Sequence, residues 1–130
     1  MNLRYRLHNL VNYFATKSLL DKTTKEQLTA YLQELGNTQV EVAKNLRNWG
    51  FKGQVNGWNS DPIHNYLKSK NPDWKEITVH RSHIGVSYSD SNNQTQWEKI
   101  WLGENENNFY HVSHFIHDFD SKKYPELIES

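Results

Sequence analysis

The sequence predicts an α+β fold with amino-terminal helices, a small three-stranded antiparallel meander and a closing amphipathic helix. Apolar residues recur at helical spacing up to residue 50, alternate with a period of two after Trp74, and return to helical spacing near the carboxyl terminus. A chain of 130 residues has the usual size of one domain. We therefore expect a single domain over 1–130, with a helical half at 1–50 and the helix, meander and closing helix at 61–130.

The amino-terminal half contains three predicted helices. The apolar positions of the first are Leu3, Leu7, Leu10, Val11 and Phe14. Thr23 and Glu26 have the spacing of a capping box, in which each side chain satisfies a free backbone amide at a helix start. Thr38 and Glu41 repeat this spacing before the third helix. A glycine, which readily adopts the left-handed conformation that ends helices, follows each of the last two.

The second half begins with a loop and a short helix. Residues 50–60 contain three glycines and two asparagines with no sustained period, which indicates a loop. Asp61 and Pro62 favour a helix start, because aspartate caps and proline suits the first helical position. Asn71 and Pro72 end this helix. The strands that follow contain Ile77 and Val79, then Ile84, Val86 and Tyr88, then Trp97, Ile100 and Trp101.

The composition excludes several classes of chemistry. Because the chain has no cysteine, it forms no disulfide, thiolate metal site or cysteine nucleophile. Its charges balance overall, yet residues 1–60 carry a net +4 and residues 61–130 a net −4. No basic run forms a dense phosphate-binding stripe. Residues 1–14 lack the apolar run of a signal peptide or a membrane span, so we expect a cytoplasmic protein with no membrane partner. Because no cofactor-binding motif is present in the sequence, we also expect no cofactor.

Three stretches form a pattern: AxxLxxxGFxG over 43–53, PIxNYL over 62–67 and FDxxxYPxL over 119–127. Together they resemble a group of small uncharacterised bacterial proteins of actinobacteria and cyanobacteria. Here Asp61 stands where that group usually has cysteine, His64 where it has alanine, and Lys122 and Lys123 where it has glycine. The resemblance implies a common fold and a bacterial source, and it assigns no catalytic residue.

The closing helix carries histidines on its polar side. Its apolar residues, Val112, Phe115, Ile116 and Phe119, form one stripe. His111, His114 and His117 fall on the opposite arc and are expected to face solvent or a partner. They are spaced three apart, and Asp118 lies four residues after His114, so they are a candidate metal site. The alternative is a solvated helix face, since no HExxH pattern accompanies them.

A second histidine pair flanks the predicted turn at Arg81 and Ser82. A tight turn would place His80 and His83 across from one another, beside Arg81. An anion site or a histidine-dependent enzyme is one interpretation. The other is an ordinary polar turn, because no glycine-framed serine nucleophile is present in the sequence.

The helices over 24–49 resemble a helix-turn-helix, which makes nucleic-acid binding an alternative function. Lys44, Asn45, Arg47 and Asn48 are the candidate contacts to bases or phosphates. However, Glu41 lies in the first turn of the helix that would serve as the recognition helix, where base contacts would be made. Two antiparallel helices packed by their apolar faces would explain the same pattern.

The third strand presents Trp97, Lys99 and Trp101 on one face. If helices cover only the other face of the sheet, these residues are exposed and mark a protein contact; if helices cover both faces, they are buried. We expect a non-catalytic protein-interaction or regulatory module that binds another protein or a second copy of itself. Nucleic-acid binding ranks second, and a small histidine-dependent enzyme or metal-binding protein third.

Overall fold

A computed structural model describes residues 23–103 and 108–129. These residues form an α+β fold with an antiparallel sheet and a closing helix, as the sequence predicts. The helices are α1 (Thr24–Glu34), α2 (Gln39–Trp49), α3 (Pro62–Lys70) and α4 (Tyr110–Asp120), and the strands are β1 (Glu76–Val79), β2 (His83–Ser89) and β3 (Thr95–Trp101). A 3-10 turn follows at Pro125–Leu127. The predicted helix over 3–14 lies outside the described residues.

Local capping explains where the first helices begin. Thr23 Oγ1 accepts a hydrogen bond from the Glu26 amide, and a Glu26 carboxylate oxygen accepts one from the Thr23 amide, so this capping box is confirmed. Thr38 Oγ1 likewise accepts from the Glu41 amide. Glu41, however, accepts from the Asn37 amide instead of the amide of Thr38. Only one of the two hydrogen bonds predicted for the second capping box is therefore present.

The sheet is a meander in the order β1-β2-β3, with both pairs antiparallel. The register places Val79 beside Ile84, and Ile84 beside Ile100. Because side chains alternate between the two faces of a strand, these residues share one face. That face is buried. The opposite face carries Trp97 beside Ser87 and the other residues of that parity.

Helices cover the buried face of the sheet at both edges. The helix α1 packs against β3, and α3 packs against β1. The closing helix α4 packs chiefly against α2. Its apolar stripe is buried, at Val112, Phe115, Ile116 and Phe119. Within the described residues, no helix is long and apolar enough to span a membrane.

The loop after α2 is held by the carboxyl-terminal segment. The Gly53 amide donates to the Leu127 carbonyl at 2.9 Å, and the Glu129 amide donates to the Gly53 carbonyl at 2.9 Å. Leu127 is fully buried, and Ile128 packs against the core. These two residues therefore hold the carboxyl-terminal segment against the core.

Candidate binding surfaces

Two indoles on the outward face of the sheet are about half exposed. Trp97 is 51% exposed and Trp101 is 46% exposed. Gly85, in the central strand, has no side chain to fill this face. A Cβ built there would lie 3.1 Å from Oγ1 of Thr78 and 4.0 Å from Cε3 of Trp97, so Thr78 and the indole occupy the space that glycine leaves. Of the two arrangements that the sequence allowed, the described residues show the one in which helices cover only the inner face.

Trp101 is held in place by its neighbours on the same face. The ring of His83 lies 5.1 Å from the Trp101 ring, centroid to centroid. The Lys99 ammonium lies 4.9 Å from the centre of the Trp101 ring, within the range of a cation–π contact. These contacts fix the ring while leaving nearly half of its surface accessible.

The same face carries charges of both signs. Lys99 lies on β3, and Glu76 lies across the sheet on β1, in the row of Ser87 and Trp97. Both side chains are exposed. The face is therefore a shallow surface with two indoles, one ammonium and one carboxylate.

The two histidines of the first hairpin do face one another. The His80 and His83 ring centroids are 4.6 Å apart, and their backbones exchange hydrogen bonds across a two-residue turn. Burial, the neighbouring His80 and the charge of Lys99 all lower the pKa of His83. The neutral form of His83 is thus favoured, and the pair joins the sheet face to the turn.

A cleft lies beside this turn, between the loop before α3 and the end of α4. Its volume is about 290 Å³, and Asp61, His80, Arg81 and Asp120 are among the residues that line it. Asp61 is 2% exposed and accepts a hydrogen bond from the His64 amide at 2.7 Å, as the cap of α3. Desolvation by burial, with a smaller contribution from the charge of Asp120, raises the pKa of Asp61 to about 7.

Sequence reasoning identified Asp61 only as a cap. An aspartate before proline is an ordinary helix start, and no local pattern marks its burial. A carboxyl group that is buried, close to a second carboxylate and in a cleft is nevertheless a functional-site candidate. The signal is three-dimensional, because Asp120 lies 59 residues further along the chain.

The histidines of α4 have different environments. The sequence predicts that all three face solvent or a partner, but His111 contacts the connection between α1 and α2. His111 is partly buried, and its Nε2 lies 2.8 Å from the Gly36 carbonyl oxygen. Because a carbonyl only accepts, His111 Nε2 donates this bond. His114 is exposed, and His117 Nδ1 lies 3.2 Å from a carboxylate oxygen of Asp118.

The metal-site residues are not brought together. Asp118 is engaged by Gln39, whose amide donates to Asp118 Oδ2 at 2.6 Å, and this bond is the main cause of the lowered pKa of Asp118. The described part of the chain contains no group of three or more histidine, aspartate or glutamate side chains that could hold a metal ion. His111, His114, His117 and Asp118 therefore give no support to the metal-site interpretation.

The candidate nucleic-acid residues on α2 are divided between internal contacts and solvent. Asn45 donates to the Leu35 carbonyl at 2.8 Å, so it holds the connection between α1 and α2. Arg47 lies 3.5 Å from Glu126 in an exposed ion pair. Lys44 and Asn48 are exposed. Two of the four residues thus serve contacts within the fold.

Comparisons of this chain with protein-family models, with curated proteins and with solved structures find no match.

Proposed function

We propose that this chain is a non-catalytic protein-interaction module and that its binding surface is the open sheet face formed by Trp97, Lys99 and Trp101. The observation that carries the proposal is the exposure of two indoles on one side of the sheet. Tryptophan is enriched at the centres of protein interfaces, because one ring buries a large area at a small cost in side-chain entropy.

The occupant that we propose is a second copy of the chain. A two-fold interface must be self-complementary, because the same patch meets itself. The open face satisfies this requirement, since it carries both Lys99 and Glu76, which can pair across the two-fold axis. Its indoles can pack against those of the other copy.

The magnitude of the apolar gain favours weak, reversible pairing. Two copies would cover four half-exposed indoles, roughly 400 Å² in total, worth about 10 kcal/mol at about 25 cal/mol per Å². Association itself costs about 4 to 15 kcal/mol. The indoles alone therefore roughly balance that cost, and pairing depends on the remaining contacts of the face.

The test is the oligomeric state of the chain, measured by sedimentation from about 1 to 200 µM, a range that covers micromolar dissociation constants. We expect the wild type to dimerise with rising concentration and the Trp97→Thr/Trp101→Thr variant to stay monomeric with an unchanged circular dichroism spectrum. Threonine suits a strand, so the fold should survive. Trp49→Gln is the matched control, because Trp49 is 46% exposed but lies on α2 and not on the sheet, and it should dimerise as the wild type does.

A charge exchange provides a second test that leaves the indoles intact. Lys99→Glu alone should weaken the dimer, and combining it with Glu76→Lys should restore pairing. A wild type that is monomeric throughout, or a double tryptophan variant that dimerises normally, overturns the proposal. An unfolded double tryptophan variant combined with a Lys99→Glu variant that dimerises normally overturns it too.

A further inference from the structure

We propose that the cleft lined by Asp61, Asp120, His80 and Arg81 binds a small α-amino acid, with the ligand ammonium at the two aspartates and the ligand carboxylate at Arg81 and His80. This inference does not rest on the proposed pairing of the sheet face. It starts from the distribution of charge around the cleft.

Two carboxyl groups line the cleft. Asp61 is held at the start of α3, and Asp120 is held at the end of α4, where its Oδ1 accepts from the Asn56 amide at 2.8 Å. The charge of Asp120 contributes to the raised pKa of Asp61, so the two groups interact electrostatically. An ammonium group bound in the cleft near both carboxyl groups would favour the ionised form of Asp61.

Capping alone does not explain a buried carboxyl group here. Asparagine and serine cap helices about as well as aspartate and bring no charge into the interior. Burying a carboxylate near another carboxylate is unfavourable unless a positive group compensates it. Among the described residues, neither Asp61 nor Asp120 forms an ion pair with a cationic side chain. A cationic ligand group would supply the missing compensation.

The group of opposite charge, Arg81, comes from the hairpin turn. Arg81 and His80 line the same cleft, yet Arg81 forms an ion pair with neither aspartate. Guanidinium matches a carboxylate through two parallel hydrogen bonds. Because groups of opposite charge line this cleft without forming an ion pair, the cleft suits a ligand that carries both a positive and a negative charge.

The walls of the cleft set the size of the ligand. The Trp58 carbonyl accepts from the Val79 amide at 2.7 Å, which fixes the loop against the edge of β1, and Trp58 and Ile116 add apolar surface. A volume of about 290 Å³ is at the low end for ligand sites, which suits a single amino acid.

The experiment is a titration of the full ¹⁵N-labelled chain with L-alanine, L-serine, L-leucine and L-phenylalanine, each to about 10 mM, monitored by amide shifts. We expect at least one of them to shift the signals of Asn56, Gly57 and Ile116. Methylamine and acetate, which carry only one of the two charges, should bind at least about tenfold more weakly.

Two variants test the two ends of the cleft. Asp120→Asn keeps an oxygen that can accept from the Asn56 amide, and Arg81→Gln keeps a polar side chain at the turn. Each should weaken binding at least about tenfold. Arg47→Gln, a matched loss of charge at an exposed ion pair with Glu126, should bind as the wild type does.

No shift with any of the four amino acids overturns the proposal, as does unchanged binding by both variants. Methylamine or acetate binding as tightly as the amino acids also overturns it, because the cleft would then hold a single charge. Since the readout is ligand binding at the cleft, it is independent of the oligomeric state that tests the sheet face.

Discussion

His111 and His114 show how two residues of the same type on one helix acquire different roles. Three positions separate them, so they lie on neighbouring parts of the helix surface. His111 nevertheless reaches the carbonyl of Gly36 in the connection between α1 and α2, whereas His114 remains exposed beside Tyr110. His111 therefore links the closing helix to the connection between α1 and α2, in addition to the bond between Gln39 on α2 and Asp118 on α4.

This difference predicts unequal effects of alanine substitution on the free energy of unfolding. His111→Ala should destabilise the protein by about 1 kcal/mol, because it removes a hydrogen bond to a partly buried carbonyl. His114→Ala should change stability by no more than about 0.5 kcal/mol, as exposed substitutions usually do. Urea unfolding of both variants at one pH measures the contrast. Equal effects of the two substitutions would show that the contact with Gly36 contributes nothing.

At the scale of elements, Gly53 is the residue that the connecting loop depends on most. A Cβ at this position would lie 2.4 Å from the Ser60 carbonyl oxygen and 2.5 Å from the backbone of Asp61. Both contacts are with backbone, so neither can relax through side-chain rotation. The close approach holds the loop against the start of α3 while Gly53 also pairs with the carboxyl-terminal segment.

Gly53→Ala should therefore destabilise the protein by about 2 to 4 kcal/mol, at the upper end of effects for single substitutions. Gly103→Ala is the matched control, because a Cβ there meets nothing within 4 Å. It should have an effect of about 0.5 kcal/mol or less. Thermal unfolding of the two variants separates the cases, and similar melting temperatures would contradict the close approach of the backbones.

The elements that the sequence predicts correctly are those that local chemistry determines. The caps at Thr23 and Asp61 and the change of period after Trp74 need only neighbouring residues, and the structure confirms all three. The partner of α4 is not determined locally, because an apolar stripe does not specify which surface covers it. The burial of Asp61 likewise depends on a helix that lies far along the chain.

The candidate surfaces follow the same rule. Strand alternation placed Trp97, Lys99 and Trp101 on one face from the sequence alone. Whether that face is open depends on which helices cover the sheet, and α1 and α3 cover only its other side. The cleft could not be predicted from the sequence, because the turn at Arg81 and the end of α4 meet only in the folded chain.

At the scale of the whole molecule, two titrating groups give opposite dependences of stability on pH. The pKa of His83 is lowered in the folded state, so its contribution to stability is present above its ordinary pKa and is lost as the pH falls. The pKa of Asp61 is raised, so the folded state favours its neutral form. The contribution of Asp61 is therefore fully present below pH 3.8 and is lost as the pH rises through about 7.

Comparing Asp61→Asn with the wild type isolates the contribution of Asp61, because His83 contributes to both. The groups that face Asp61 are Asp120 on α4, His64 on α3, and His80 and Arg81 at the turn, and they also remain in both proteins. Asparagine caps a helix well and carries no charge. As the pH rises from 5 to 8, the variant should therefore become more stable relative to the wild type. The change should be a few kcal/mol, since one pKa unit corresponds to about 1.4 kcal/mol. Urea unfolding at both pH values measures the gain.

Asp90→Asn is the control for this measurement. Hydrogen bonds from Gln94, Gln96 and Asn92 lower the pKa of Asp90, so its carboxylate is ionised at pH 5 and at pH 8 alike. The effect of this substitution should therefore be the same at both pH values. If Asp61→Asn also changes stability equally at pH 5 and pH 8, then Asp61 is not held in a site that disfavours its charge. In that case, the cleft offers a ligand ammonium no uncompensated carboxylate.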